Sequence, residues 1–223
     1  MIHNWKFLYS TSKLEKEFLN TPKKICVAAH STPFFDGYIL YKAFKYFGEN
    51  DPLVYARGPS PYFPEWCIQI PKKCKGGFVK NEILVLQNIP CFCRILFPSG
   101  GTITWKTGFY VLAKQLDAKI VICGIDYGTN SVIVDSIISP LDTFEETKEF
   151  CISRLRKYTP GPLCFMLRVL CNYGCETYKY NKEIVYFYRG IFISILLYMF
   201  IMYFCITLFD VTRYAHRPIE VIR

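Results

Sequence analysis

Apolar residues fall along this chain in two rhythms. Short continuous runs at Lys24-Ile25-Cys26-Val27-Ala28-Ala29, Leu53-Val54-Tyr55-Ala56, Phe92 to Phe97 and Lys119 to Tyr127 have the length of buried strands. Between them the apolar positions recur every three or four residues. That spacing predicts helices over Thr11 to Leu19, from Asp36 through Tyr38, Leu40, Tyr41, Phe44 and Phe47, over Trp105 to Leu116, and over Asp142 to Tyr158, the last with acids first and bases last. Gly128-Thr129-Asn130 separates the fourth strand from a further run, Ser131 to Val134, and marks a hairpin. Ile83 to Gln87 fits a helix or a strand, and Pro59, Pro61 and Pro64 with the basic stretch after them predict an irregular crossing. Strands alternating with helices predict an α/β fold, a mixed central sheet flanked by helices.

One run breaks both rhythms. Ile191 to Phe209 carries no charge, and its length approaches the roughly 20 apolar residues that cross a hydrocarbon core. A buried core helix is the alternative, but a helix apolar on every face is unusual in so small a domain. Tyr186, Tyr188 and Arg189 before it, and Arg213, Tyr214, His216 and Arg217 after it, supply interfacial anchors. The run therefore predicts one C-terminal transmembrane helix. Residues 1–180 are then the α/β domain, 186–210 the anchor and 211–223 a short basic tail. Trp5-Lys6-Phe7-Leu8 leads into the polar Ser10 to Glu17 and not into a signal-type apolar run, so the expected topology is a cytosolic domain on an integral-membrane anchor.

With 223 residues and 52% hydrophobic content the chain can bury one sizeable core. Its eleven cysteines sit mostly in apolar runs (Cys26, Cys91, Cys93, Cys123, Cys205), which predicts free buried thiols. Cys91 and Cys93 flank one strand residue and are expected on one face. Cys171 and Cys175 lack two further ligands at zinc-like spacing, so no metal is expected. The formal charge of +9 gathers at Lys23-Lys24, Lys72-Lys73-Cys74-Lys75 and Arg154-Leu155-Arg156-Lys157. No nucleic-acid motif accompanies these clusters and the aromatics do not alternate with the bases, so anionic lipid headgroups, not nucleic acid, are the expected counter-charge.

Two segments carry candidate chemistry. Ala28-Ala29-His30-Ser31-Thr32-Pro33-Phe34-Phe35-Asp36-Gly37 places a His at a predicted strand end and an Asp six positions on, near a helix N-terminus where a carboxylate is favoured. A His can take a proton from an alcohol, and a carboxylate on its other nitrogen fixes the tautomer and stabilises the imidazolium. Phe97-Pro98-Ser99-Gly100-Gly101-Thr102 puts a Gly-rich turn between a strand and a helix, where backbone N–H groups can cradle an anion.

From about Lys24 to Tyr158 the order of these segments resembles the glycerolipid acyltransferase superfamily, the lysophosphatidate and glycerol-3-phosphate acyltransferases. In that family a strand leads to His-x-x-x-x-Asp, then come a strand with Phe-Pro-Glu-Gly-Thr-Arg, a helix and an apolar strand. The closest local match is Trp105-Lys106-Thr107-Gly108-Phe109-Tyr110-Val111-Leu112-Ala113-Lys114 followed by Ile120 to Tyr127, and Leu141-Asp142-Thr143 with Glu145-Glu146-Thr147 looks like the helix start of several members. The resemblance implies a membrane acyltransferase of phospholipid biosynthesis with no cofactor. Acyl-CoA would be the donor and a lysophospholipid or glycerol-phosphate-type hydroxyl the acceptor. His30 would be the general base, Asp36 its orienting partner, and Pro98, Ser99, Gly100, Gly101 and Thr102 the wall of the acceptor or phosphate site.

This chain departs from the family pattern at named positions. Its His-to-Asp spacing is one residue longer, and Ser99 and Thr102 stand where the family carries Glu and Arg. Pro98-Ser99-Gly100-Gly101 is similar to the form found in plastid-type glycerol-3-phosphate acyltransferases. The family's intervening Arg has no counterpart near Gly77-Phe78-Val79, which leaves Lys80, Lys106 and Arg94 as candidate cations. The alternative expectation is a tail-anchored lipid-binding or interaction protein that keeps the fold without turnover.

Overall fold

The computed structural model describes residues 4–29, 35–56, 64–71, 77–99 and 104–159. In chain order the elements are β1 (Lys6–Tyr9), α1 (Ser12–Leu19), β2 (Lys23–Ala28), α2 (Phe35–Tyr46), β3 (Pro52–Ala56), β4 (Cys67–Gln69), α3 (Gly77–Leu86), β5 (Phe92–Leu96), α4 (Gly108–Gln115), β6 (Lys119–Asp126), β7 (Ser131–Ile138) and α5 (Phe144–Leu155). The strands form one sheet in the order β1-β7-β6-β2-β5-β3-β4. From β6 to β4 every pair is parallel, β7 returns antiparallel on β6, and β1 pairs parallel with β7. The sheet is therefore mixed and flanked by helices, as the alternation predicts.

The apolar runs become the inner strands because both of their faces are covered. β2 is buried from Lys24 onward and β6 from Ile120 to Ile125, and a strand buried on both faces has no polar alternation to show. Leu14 and Phe18 of α1 and Ile39, Leu40, Ala43 and Phe44 of α2 pack with Cys26, Ala28, Cys93, Ile95, Val121 and Cys123 into one core. The intervening Ile25, Val27, Ile120 and Ile122 point to the opposite face. There α4 lies on β2 and α5 on β6, burying Phe109, Leu112, Ile152 and Leu155.

Several local expectations sharpen. Ile83 to Leu86 belongs to the helix α3, which packs on α4 and ends just before Gln87. Trp105 precedes its helix, which starts at Gly108. The crossing after Pro64 holds the three-residue strand β4, and the N-terminal Trp5-Lys6-Phe7-Leu8 stretch, for which no element was expected, contributes β1. Cys91 is exposed just before β5 while Cys93 is buried within it, so they do not share a face of one strand. Cys26, Cys67, Cys91, Cys93, Cys123 and Cys151 are free thiols.

Two of the basic clusters turn partly inward. Lys24 is buried, pairs with Glu49 at 2.7 Å and lies 4.7 Å from the ring centre of Phe18. Arg154 reaches the buried Asp135 at 2.6 Å, and Lys157 pairs with the same carboxylate. Charge that reads as a surface feature in the sequence is in these places neutralised by carboxylates of the domain itself. Among the described residues no helix is long and apolar enough to cross a membrane. The run Ile191 to Phe209 lies outside the described residues.

Candidate active site at the carboxyl ends of the parallel strands

In open α/β sheets ligands bind beyond the carboxyl ends of the strands, where neighbouring strands send the chain to opposite faces of the sheet. Here those strands are β2 and β5. From β2 the chain passes through α2 to β3 on one face, and from β5 it passes through α4 to β6 on the other.

Asp36 sits above this point, in the first turn of α2, and is 0% exposed. The phenol of Tyr127, the residue after β6, donates a hydrogen bond of 2.5 Å to its Oδ1. Tyr127 is held in turn. Its amide donates to the Thr159 carbonyl at 3.0 Å, and the ring of Trp5 stands edge-on to it at 5.2 Å. On the other flank α2 comes close to the sheet because residue 37 is glycine: a Cβ there would lie 3.3 Å from Val54 Cγ1, 3.7 Å from Trp66 and 4.0 Å from Phe97. Asp36 is thus fixed from the β6 side by a hydrogen bond and from the β3 and β5 side by packing.

The second segment ends beside the first. β5 is paired with β2, and the buried Pro98 and Ser99 follow it. The Lys106 amide donates to the Pro98 carbonyl at 3.0 Å, which closes the connection into α4 at its base. Inside that closure Trp105 is buried, with its indole N–H making no hydrogen bond among the described residues. Thr107 caps α4 without a side-chain hydrogen bond.

The other expected site residues divide as follows. Lys106 and Lys80 are exposed, on the approach to α4 and in the first turn of α3. Arg94 is buried in β5, where its guanidinium meets Glu82 at 3.3 Å and Tyr55 donates to the same carboxylate. It is thus engaged within the core and is not a cation at the strand ends. His30, Gly100, Gly101 and Thr102 lie outside the described residues. Among the described residues no group of three His, Cys, Asp or Glu side chains could hold a metal ion.

Tyr127 is the residue that sequence reading passes over. The signal was its position, at the end of an apolar strand run, but only the placing of β6 against β2 brings it to Asp36. Neighbouring Asp126 is spent on the hairpin: its carboxylate accepts from the Gly128 amide at 3.0 Å, the Thr129 hydroxyl at 2.8 Å and the Thr159 amide at 3.2 Å. Burial works against its charge, yet these donors hold the carboxyl below its usual range. The arrangement offers a buried, hydrogen-bonded carboxylate beside a strand-end turn, which suits support of a proton-transferring base.

The chain matches no family model, no curated protein and no solved structure.

Proposed function

We propose that this protein is a membrane-bound acyltransferase that moves a fatty acyl group from acyl-CoA to a hydroxyl of a lysophospholipid or glycerol-phosphate-type acceptor. The observation that carries this reading is the buried Asp36 carboxylate, in the first turn of the helix that follows the strand running into His30. The colinear resemblance from Lys24 to Tyr158 supports it. The strands that lead into its matched segments, β2, β5 and β6, are neighbours in the sheet.

In this mechanism the His30 imidazole takes the acceptor's hydroxyl proton while the oxygen forms an ester bond to the thioester carbonyl carbon. The carbon–sulfur bond breaks, and the CoA thiolate takes the proton back from the imidazolium. Asp36 remains ionised throughout, fixing the tautomer and stabilising the imidazolium. The turn at Pro98 and Ser99, with Lys106 and Lys80 near α4, faces the acceptor's phosphate. Residues 186–210 anchor the domain at the surface into which both substrates partition, which raises their local concentration.

The test is acyl-CoA turnover by the purified, detergent-solubilised full chain against a panel of lysolipids and glycerol-3-phosphate. His30→Ala and Asp36→Asn are each expected to cost roughly 100-fold or more in kcat with secondary structure retained. Absence of transfer to every acceptor by the wild type sinks the reading. It would favour the non-catalytic lipid-binding protein of the same fold, to which Ser99 and Thr102, in place of Glu and Arg, point.

A further inference from the structure

Tyr127 belongs to no segment that carries the resemblance's catalytic roles, yet it makes the hydrogen bond that reaches the candidate dyad. We infer that Tyr127 is a positioning residue whose hydroxyl holds the Asp36 carboxylate ionised and in one orientation for His30. The inference rests on the dyad reading of His30 and Asp36.

A carboxyl group with no exposed surface is driven toward its neutral form unless donors oppose the loss of water. A neutral Asp36 could not stabilise an imidazolium. The helix dipole at the start of α2 favours the charge modestly. The Tyr127 phenol adds a directed donor at 2.5 Å on Oδ1. A carboxylate gripped through one oxygen cannot rotate freely, so the direction of its second oxygen is set.

The grip is firm because the phenol has no slack. The backbone of Tyr127 is tied to Thr159, whose own amide is tied to Asp126. Its ring lies 5.2 Å from Trp5 and 6.4 Å from Phe35, two faces of one aromatic cluster that also joins Trp5 to Phe35 at 6.2 Å. Of the titratable groups that close β6, Tyr127 donates to Asp36, and Asp126 accepts from Gly128 and Thr129. No carboxylate from β5 competes, since Phe97, Pro98 and Ser99 follow that strand. Phenylalanine at 127 keeps the ring packing and deletes only the donor, so it separates positioning from packing.

The test uses the full chain in detergent, as wild type, Tyr127→Phe, Asp36→Asn and His30→Ala. The Asp36 carboxyl is titrated by carbon NMR of labelled aspartate, assigned by its absence in Asp36→Asn, and acyl-CoA turnover is measured across pH. In Tyr127→Phe the Asp36 carboxyl is expected to titrate at higher pH than in the wild type. Its kcat is expected to fall roughly 10- to 100-fold with KM unchanged, and the acid limb of the profile to move to higher pH. An unchanged Asp36 titration and unchanged kcat, with turnover still lost in His30→Ala, overturns the role of Tyr127 and leaves the dyad standing. A titration that moves while the wild type turns over no acyl donor, or while His30→Ala retains full turnover, overturns the dyad and with it the catalytic meaning of Tyr127.

Discussion

Gly124 in the middle of β6 is glycine because Tyr158 lies on its backbone: a Cβ there would come within 2.1–2.3 Å of the Tyr158 ring. Gly124→Ala must displace that ring, and with it the Tyr158 hydroxyl that donates to Asp135 Oδ1 at 2.7 Å. The expected loss is about 1–3 kcal/mol, read as a lower urea midpoint. Combining it with Tyr158→Ala should cost less than the sum of the two, since the clash is then gone. Asp135 itself is the extra residue of a bulge, between Ser136 opposite Ile122 and Val134 opposite Cys123. Burial works against its charge, but Lys157, Tyr158, Ser136 and Arg154 outweigh burial and hold its carboxyl down at about 2. Because the folded value lies below the unfolded one, the stabilisation is fully present above about pH 4 and is lost as pH falls toward 2. It amounts to at most about 2 kcal/mol. Urea unfolding between pH 5 and pH 2.5 checks this: the wild type should weaken there, and Asp135→Asn, weaker at neutral pH, should weaken less, keeping the part that Asp126 contributes.

Four helices, α1, α2, α4 and α5, were legible from the spacing of their apolar residues, and α1 and α5 also carry capping chemistry at their starts. α1 begins at Thr11, whose hydroxyl accepts from the Leu14 amide at 3.2 Å. α5 begins with a full capping box, the Thr143 hydroxyl accepting from the Glu146 amide at 3.2 Å and Glu146 accepting from the Thr143 amide at 3.1 Å. Thr143→Ala is expected to cost about 1 kcal/mol, seen as a lower urea midpoint with native secondary structure retained. The hairpin was legible from Gly128-Thr129-Asn130, and Asn130 takes the left-handed φ of +50° that such turns favour in Asn. β1 and β4 escaped the pattern because they are the two edges of the sheet, four and three residues long and only partly buried, and so short a run has too few alternations to register. α3 stayed ambiguous because its apolar residues do not sort onto one face. Glu82 and Leu86 are its buried residues, while Leu84 and Val85 are exposed.

For the whole molecule, the proposed anchor at 186–210 makes its own expectation: the full chain should stay in the membrane pellet through alkaline carbonate extraction, and release into the supernatant would refute the span. The α/β alternation, the buried inner strands and the choice of Asp36 could be read from the chain alone, because each rests on local periodicity or on residues a few positions apart. What meets across long separations depends on the folded arrangement. Strand order is set by which faces bury against which helices, and it lays β6 against β2, so that Tyr127 reaches Asp36 across 91 positions. The same cause took Arg94 into a pair with Glu82 and Lys24 into a pair with Glu49. A charge's partner depends on where the chain returns, and no local spacing in the sequence records that.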